Sequence, residues 1–357
     1  MTLAAAIKTG DVSQLPSRRD EDWRWTDLRG LIRSLPPRYE PKAGHGAFAI
    51  VRDDELYRSP FEATRQVTVL NGGICGLGLR EAAPLVFDKH DPVVLLDVQT
   101  LGDISEVTAL KITVPAGLSA VLLESHVGQG RYVTSLSLDI VVEAGGSLER
   151  VLLAEDDPEG VSIVDATVDL APGATFSQTI LTFGGRRQRI ETHITHPGQG
   201  AAVRLDGVYL LRDQRHADLT TVVTHGGRDG TTSQLTKGVV RDQARGVFQG
   251  RIVVEGGADG TEARMGHHAL ILSDKAEVDA KPELLIFADD VQCAHGNTVG
   301  ALDEAAIFYA RQRGMPEDVA RAMLTEAFVG EVVDRIGHEG AREIARAWVS
   351  AQLGTAE

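Results

Sequence analysis

The chain has 357 residues, of which 43% are hydrophobic and 24% charged, and its formal net charge is −15. This length accommodates one large core with smaller appended domains. The acidic balance excludes the concentrated basic face of a nucleic-acid-binding protein, and the patterned apolar content excludes general disorder. The 38 glycines and the aromatic content of 5% are typical of tight turns between short strands.

The cysteines and the apolar runs indicate where in the cell the protein is located. Cys75 and Cys293 lie far apart and form no disulfide framework, which predicts a reducing, cytoplasmic location. No basic segment precedes the short apolar stretch at residues 1–10, so we expect no signal peptide. No apolar run reaches the length of a membrane span, and we expect no membrane partner.

The N-terminal third divides into two predicted segments. Residues 1–38 form a helical region, because apolar residues recur there at helical spacing until Pro36-Pro37 ends the run. Residues 39–102 form a mixed lead-in, in which strand-like pieces alternate with turn residues.

Residues 103–298 repeat a pattern of strand, turn and strand. The turns recur at intervals of roughly 25 to 28 residues, a period typical of stacked repeats. No amphipathic helix interrupts the strands, which argues against βαβ units. A solenoid and a sandwich of ordinary hairpins both remain open, with the period favouring the solenoid. The four clearest copies of the pattern are residues 112–117, 140–146, 168–174 and 194–199.

Residues 299–357 are predicted to form a small helical domain. Asp303 is placed to cap the first helix and Gly314 to end it. Pro316 then opens a second helix with carboxylates in its first turn. A third helix is predicted over residues 341–353.

The richest chemistry of the sequence is concentrated near residue 293. Cys293 and His295 are two residues apart in an extended segment, so their side chains share one face. A thiolate beside an imidazole can bind a metal or hold a sulfur species. Two donors are fewer than the four of a structural zinc site, so a second chain would have to supply the others. On spacing alone, a buried thiol and a hydrogen-bonded histidine are the simpler interpretation.

Other polar pairs carry weaker signals. Asp289 and Asp290 are adjacent and face opposite ways in a strand, which predicts a turn or capping role rather than carboxylate catalysis. Two pairs of histidines also have odd spacings, which would place their side chains on opposite faces of a strand and argue against a shared metal ion. These pairs are His193 with His196, and His267 with His268.

Motifs at both ends of the chain carry a family resemblance. Residues 17–28, SRRDEDWRWTDL, resemble an R-x-E-x-W-R/K-Y/W-T-x-L motif, and residues 293–300, CAHGNTVG, resemble C-S-H-G-A-T-V-G. Both are motifs of the SufD branch of the SufB/SufD family, which belongs to the SUF iron–sulfur cluster assembly machinery. The SufB branch is the closest alternative, but it typically has a C-E-H-E-A style segment and more cysteines. Trp23 and Trp25, within the first motif, are expected to pack.

The resemblance implies a fold and a function. The fold is mainly β, with a right-handed parallel β-helix core flanked by N-terminal and C-terminal helical regions. The function is that of a non-catalytic scaffold that supports cluster assembly and iron acquisition. The implied partners are SufB, in a heterodimer, and the SufC ATPase. A homodimer is an alternative that stays open for the isolated chain.

The resemblance also implies functional residues. His295, and after it Cys293, would lie at the SufB interface and share a metal with the partner chain. The isolated chain would hold no cofactor stably, and a transient Fe–S cluster or iron would bind at that interface. The C-terminal helical domain would dock on SufC, with Gln312 departing from the serine of the family's F-Y-x-x-S-R-G element. The docking candidates are Phe308, Tyr309, Arg311, Arg313, Gly314 and Phe328.

Missing motifs narrow the chemistry further. The chain has no G-x-x-x-x-G-K-[ST] motif, so ATP hydrolysis is expected in a partner. Two cysteines are too few to ligate an iron–sulfur cluster by thiolates alone. A cytosolic β-helical carbohydrate-active enzyme using Asp289, Asp290 or the carboxylates of the glycine turns is an alternative, disfavoured by the sparse aromatic residues. A purely structural adaptor is another.

Overall fold

The computed structural model describes residues 2–39, 51–52, 55–76 and 84–354. The helices are α1 (Leu3–Thr9), α2 (Leu28–Leu31), α3 (Glu304–Gln312), α4 (Glu317–Val333) and α5 (Glu339–Leu353), with 3₁₀ turns at Val12–Gln14 and Glu21–Trp23. The strands are β1 (Val51–Arg52), β2 (Glu55–Leu56), β3 (Arg65–Leu70), β4 (Gly73–Gly76), β5 (Leu85–Val86), β6 (Val93–Leu101), β7 (Ser105–Val114), β8 (Ser119–Gln129), β9 (Val133–Val142), β10 (Ser147–Glu155), β11 (Val161–Leu170), β12 (Thr175–Thr182), β13 (Arg187–His196), β14 (Ala202–Leu211), β15 (His216–His225), β16 (Thr231–Val240), β17 (Arg245–Val254), β18 (Glu262–Ile271), β19 (Glu277–Ile286) and β20 (Gln292–Gly300).

The strands stack into a parallel β-solenoid. A ten-stranded sheet runs in the order β20-β18-β16-β14-β12-β10-β8-β6-β3-β4, and an eight-stranded sheet in the order β19-β17-β15-β13-β11-β9-β7-β5. Consecutive strands from β5 onward alternate between the two sheets, and each pairs in parallel with the strand two positions along the chain. Each coil therefore contributes one strand to each sheet, which gives about eight turns. The predicted fold class is confirmed, and the alternative sandwich of hairpins is wrong.

The repeated turns all lie at one corner of the solenoid. They connect a strand of the eight-stranded sheet to the next strand of the ten-stranded sheet. Gly117, Gly145 and Gly173 have φ angles of 69°, 66° and 68° in three successive copies. Only glycine adopts this left-handed conformation without steric cost, so the periodic glycines mark the corner.

Apolar side chains fill the lumen between the two sheets. Val114, Val142 and Leu170 are buried equivalents from three successive coils and belong to one continuous core. Each coil covers the inward residues of its neighbours, which is why the stack is stable only as a whole.

A fully buried ion pair interrupts the apolar lumen. The side chains of Glu124 and Arg150 are both 0% exposed. Arg150 donates to the two carboxylate oxygens of Glu124 at 2.6 and 3.0 Å and to Oε1 of Gln178 at 2.7 Å. Gln178 in turn donates to Thr192 at 3.1 Å, so the charged pair is embedded in a hydrogen-bonded network.

A second lumen carboxyl group, Glu106, is 5% exposed, and its Oε2 atom has no hydrogen-bond partner among the described residues. Burial raises its pKa to about 7, opposed by one hydrogen bond from Thr100. The free energy of unfolding therefore has the full contribution of Glu106 below pH 4.5, the ordinary pKa of the carboxyl group. That contribution is lost as the pH rises to 7, because the buried carboxyl group must then ionise.

Glu106→Gln is expected to stabilise the protein at alkaline pH, by up to about 3 kcal/mol above pH 7. Glutamine keeps the shape but carries no charge to desolvate. Denaturant unfolding of both proteins at pH 4.5 and pH 8 measures the effect, with each protein's acid value as its own control. A stability difference that does not change with pH would contradict this prediction.

The C-terminal helices cover the outer face of the ten-stranded sheet. Val329 of α4 and Trp348 of α5 pack with Leu123, Val151 and Leu181 of the sheet in one buried cluster. The Trp348 indole also donates to Glu155 at 3.0 Å. These contacts fix the helical domain to the middle of the solenoid.

The helix signals of this domain are confirmed. The Asp303 carboxylate accepts a hydrogen bond from the Ala305 amide at 2.8 Å and caps α3. Gly314 follows the end of α3 with a φ of 87°, and Pro316 precedes α4. The predicted boundaries between the four segments stay predictions.

The N-terminal region is less helical than the sequence suggests. Its helices are short, and most of residues 10–27 form turns on the outer face of the eight-stranded sheet. The carboxylates of Asp11, Asp20 and Asp27 accept hydrogen bonds from nearby backbone amides. Such local bonds offer the backbone an alternative to a continuous helix.

None of the described helices combines the length and the apolar character needed to cross a membrane.

Candidate functional site

The last coil of the solenoid leaves two strand edges open. β19 ends the eight-stranded sheet and β20 ends the ten-stranded sheet, and each pairs with a single described strand. The backbone groups on their other edges are therefore available to a strand of another chain.

Cys293 and His295 lie on β20 at this open end. Cys293 is opposite Ala263 and His295 is opposite Met265, and both of these β18 residues are buried in the lumen. Because side chains alternate along a strand, Cys293 and His295 share the lumen-facing side of β20. The predicted common face is confirmed.

The Cys293 thiol is half-buried against an apolar cluster that contains Phe248, Ile252 and Met265. Burial raises its pKa above the ordinary value, and a hydrogen bond with the Ala263 backbone opposes this only in part. The thiol is thus protonated at neutral pH and is not an activated nucleophile. The side chain of Cys75 lies outside the part of the chain that the structure describes.

The His295 ring is exposed at the open edge. No side chain in the described ranges hydrogen-bonds to it, so both ring nitrogens are accessible to a ligand or to a second protein. Among residues 2–39, 51–52, 55–76 and 84–354, no three His, Cys, Asp or Glu side chains are placed to hold a metal ion together. Cys293 and His295 therefore offer two donors of a larger set.

The other sequence candidates lie outside this arrangement. Asp289 and Asp290 form the bend between β19 and β20, where the Asp290 carbonyl accepts from the Gly260 amide at 2.7 Å. The predicted turn role is confirmed. His193 faces outward beside Glu191, at 2.7 Å, whereas His196 is buried and lies on the opposite face. The expectation that these histidines do not share a metal ion is consistent with that geometry.

Exposed apolar side chains surround the open coil. Leu285, Ile286, Phe287 and Val299 are 43%, 41%, 68% and 44% exposed. Exposed large apolar side chains beside an open strand edge are common at protein–protein interfaces.

A second exposed apolar surface lies on α3 and α4. Phe308 and Tyr309 are 62% and 60% exposed, and Val319 and Met323 are 42% and 50% exposed. The Arg313 guanidinium donates to the Tyr309 hydroxyl at 2.8 Å and so fixes that ring on the surface.

The remaining docking candidates differ in their exposure. Arg311 is at the surface, 3.1 Å from Glu317. Phe328 is half-buried, with the Lys237 ammonium 4.5 Å from its ring centroid. Its position indicates packing of α4 on the solenoid, so the docking role of Phe328 stays a prediction without support from exposure.

The N-terminal motif, residues 17–28, crosses the outer face of the eight-stranded sheet. The buried Arg189 guanidinium lies over the Trp23 ring, 4.4 Å from the ring centroid. The Thr26 hydroxyl donates to Asp218 at 2.5 Å. The expected packing role of Trp23 is confirmed. Lys281 of β19 also donates to Glu21, at 2.7 Å, so the motif reaches the last coil. The sequence does not reveal this contact, because 260 residues separate the partners.

The fold and its open edge define a β-solenoid protein with C-terminal helices. The family model described as "SUF system FeS cluster assembly, SufBD core domain" matches residues 99–328. The iron-sulfur cluster assembly protein SufD of Escherichia coli is 28% identical, over 98% of this chain and 91% of its own length. An iron-sulfur cluster assembly SufBD family protein of Mycobacterium leprae is 26% identical, over 97% and 93%. SufD of Bacillus subtilis is 32% identical over 41% of this chain and 33% of its own.

The chain therefore belongs to the SufBD family of the SUF system for FeS cluster assembly. The resemblance inferred from the two terminal motifs is confirmed.

Proposed function

We propose that this chain is a non-catalytic scaffold subunit that pairs with SufB, binds the SufC ATPase and contributes Cys293 and His295 to a site for iron or a nascent cluster. The observation that carries the proposal is the placement of both donors on one face of an open terminal strand. A second solenoid end apposed to this strand would bring further ligands to the same space. The apolar rim of the coil would be buried by the same contact.

The donors suit the chemistry of iron and sulfide. Thiolate sulfur and imidazole nitrogen both ligate iron in clusters. The raised pKa of Cys293 keeps the thiol protonated until a metal arrives, and metal binding releases that proton. Iron or a cluster is cargo here, held in transit between the two chains.

The helical domain provides a connection between the ATPase and this site. Residues 301–303 alone separate β20 from α3. Leu302 and Ile307 pack on Leu270 of β18, next to the site strand. In the proposed heterodimer each chain binds one SufC ATPase subunit, here through the exposed residues of α3 and α4. When the two ATPase subunits approach each other, the one bound to this chain would pull on β20. That movement would shift the interface and uncover the half-buried Cys293.

The Cys293→Ser/His295→Ala double variant is expected to lose most cluster assembly in a complex reconstituted with SufB and SufC. Both donors are removed, whereas the solenoid and the docking helices are unchanged. Cluster formation followed by absorbance measures the effect, with ATP hydrolysis and co-purification as checks that the complex is intact.

Gln292→Ala is the matched control, because Gln292 lies on the same strand and is exposed. It is expected to assemble clusters as the wild type does. Assembly at the wild-type rate by the double variant would leave a purely structural adaptor as the function.

A further inference from the structure

We propose that His267 and His268 are positioning residues that hold the terminal strand β20 from both faces of the sheet and thereby orient Cys293 and His295. The inference deepens the proposed function and rests on it. Neither histidine touches the cargo. Their role follows from the residues opposite them on β20.

His267 holds the lumen-facing side of β20. It is 0% exposed, and its ring stacks on Phe248 with centroids 4.6 Å apart and an interplanar angle of 5°. Nδ1 lies 2.7 Å from Oδ1 of Asn297, and Nε2 lies 2.9 Å from the hydroxyl of Tyr209. Because an amide oxygen only accepts, the Nδ1–H donates to Asn297 and Nε2 accepts from Tyr209. Both ring nitrogens and the ring plane are therefore fixed.

Asn297 transfers this constraint to the candidate site. It lies opposite His267, two residues after His295 and on the same face of β20. The hydrogen bond thus fixes the strand at the lumen-facing position next to the His295 ring.

His268 holds the outer side of the same strand. It lies opposite Thr298, and its Nδ1 is 2.7 Å from the Thr298 hydroxyl. Adjacent residues of β18 therefore hold adjacent residues of β20, one pair on each face. The two opposite faces expected from the sequence for His267 and His268 are confirmed. The same alternation lets the two histidines hold both sides of β20.

The outer contact continues to the helical domain. His268 lies opposite Lys237 of β16, and the Lys237 ammonium forms an ion pair with Glu331 of α4. Lys237 is 6% exposed and Glu331 is exposed. A row of polar side chains thus runs from α4 across two strands to the strand that carries Cys293 and His295.

β20 needs such support because it is the end of the sheet. It has one described neighbour, and its side chains are exposed except for the half-buried Cys293. Strand ends with few buried contacts open at low free energy. A donor that shares a metal with a second chain must be held within roughly half an ångström of its productive position.

The test uses the isolated full chain in a Cys75→Ser background. The probe is a thiol-reactive disulfide reagent that labels Cys293, and hydrogen–deuterium exchange follows the amides of β20. Asn297→Ala and Thr298→Val each remove one side-chain contact at the surface. We expect each to speed labelling about fivefold and the double variant about thirtyfold, as the loss of one and of two hydrogen bonds implies.

Two controls separate positioning from general destabilisation. Thr298→Ser keeps the hydroxyl, and Gln292→Ala removes an exposed side chain from the same strand. Both should label within about twofold of the wild type, since neither removes a side-chain hydrogen bond to β18. The proposal would be overturned if the double variant were labelled and exchanged at wild-type rates. It would also be overturned if the thermal midpoint of the whole chain fell enough to account for the faster labelling.

The labelling measurement is independent of the proposed function. It requires no partner and no cluster. Full assembly activity of His295→Ala in the reconstituted complex would defeat the proposed function and leave the labelling result standing. Normal labelling of the double variant would defeat the positioning role alone.

Discussion

Arg150→Met is expected to destabilise the solenoid by about 3–5 kcal/mol, the cost of leaving one member of a buried ion pair unpaired. Glu124 and Arg150 are fully enclosed in the lumen, and Arg150 makes three hydrogen bonds there. The substitution removes the guanidinium partner of the buried Glu124 carboxylate and leaves the His126 ring beside it at 3.1 Å.

The loss should depend on pH. Burial alone would raise the pKa of Glu124, but the Arg150 guanidinium and the His126 ring lower it to about 2 from its usual 4.5. The pair's contribution is therefore complete above pH 4.5 and is lost as the pH falls to 2. Without Arg150 the carboxyl group takes up a proton more easily, so the variant's deficit should be smaller at pH 5 than at pH 8.

Guanidinium chloride unfolding at both pH values measures this. Arg131→Met is the matched control, because Arg131 pairs with Asp103 on the surface at 2.8 Å, where solvent screens the pair. Its midpoint should stay at the wild-type value. Adding Glu124→Leu to Arg150→Met should recover much of the loss, since no charge then remains buried. An Arg150→Met protein as stable as the wild type would show that the pair contributes nothing.

The buried pair of Glu124 and Arg150 is a feature that the sequence alone does not predict. The corner glycines predicted the coils, because their spacing and conformation are local properties. The lumen-facing position of Glu124 could not be predicted, because Leu122 and Leu123 on either face are both buried, one in the lumen and one beneath the helices. A strand covered on both faces shows no apolar alternation.

The candidate site divides in the same way. The shared face of Cys293 and His295 follows from the period of a single strand and was predictable. The contacts of His267 and His268 with β20 depend on the pairing register of strands 30 residues apart. That register is set by the lengths of the intervening turns, so the sequence alone presents these histidines only as an unexplained pair.

In the proposed heterodimer, Phe287→Glu is expected to weaken binding of SufB about a hundredfold, the effect of losing one aromatic hot-spot contact of an interface. Phe287 directly follows β19 and is 68% exposed, so the isolated chain does not use its ring for packing. Leu285, Ile286 and Val299 complete the apolar rim around the open coil. In the proposed heterodimer a carboxylate at position 287 would be desolvated within the interface, without a partner charge.

Titration of the two purified chains by calorimetry or interferometry measures this loss. Val141→Glu is the matched control, because Val141 is also an exposed apolar residue, 37% accessible, but lies on β9, far along the solenoid from the open coil. It should bind SufB with wild-type affinity, and the thermal midpoints of both variants should equal that of the wild type. Equal affinities for Phe287→Glu and Val141→Glu would mean that SufB binds elsewhere. In that case Cys293 and His295 could not share a cluster with it, because the open strand that carries them would remain uncovered.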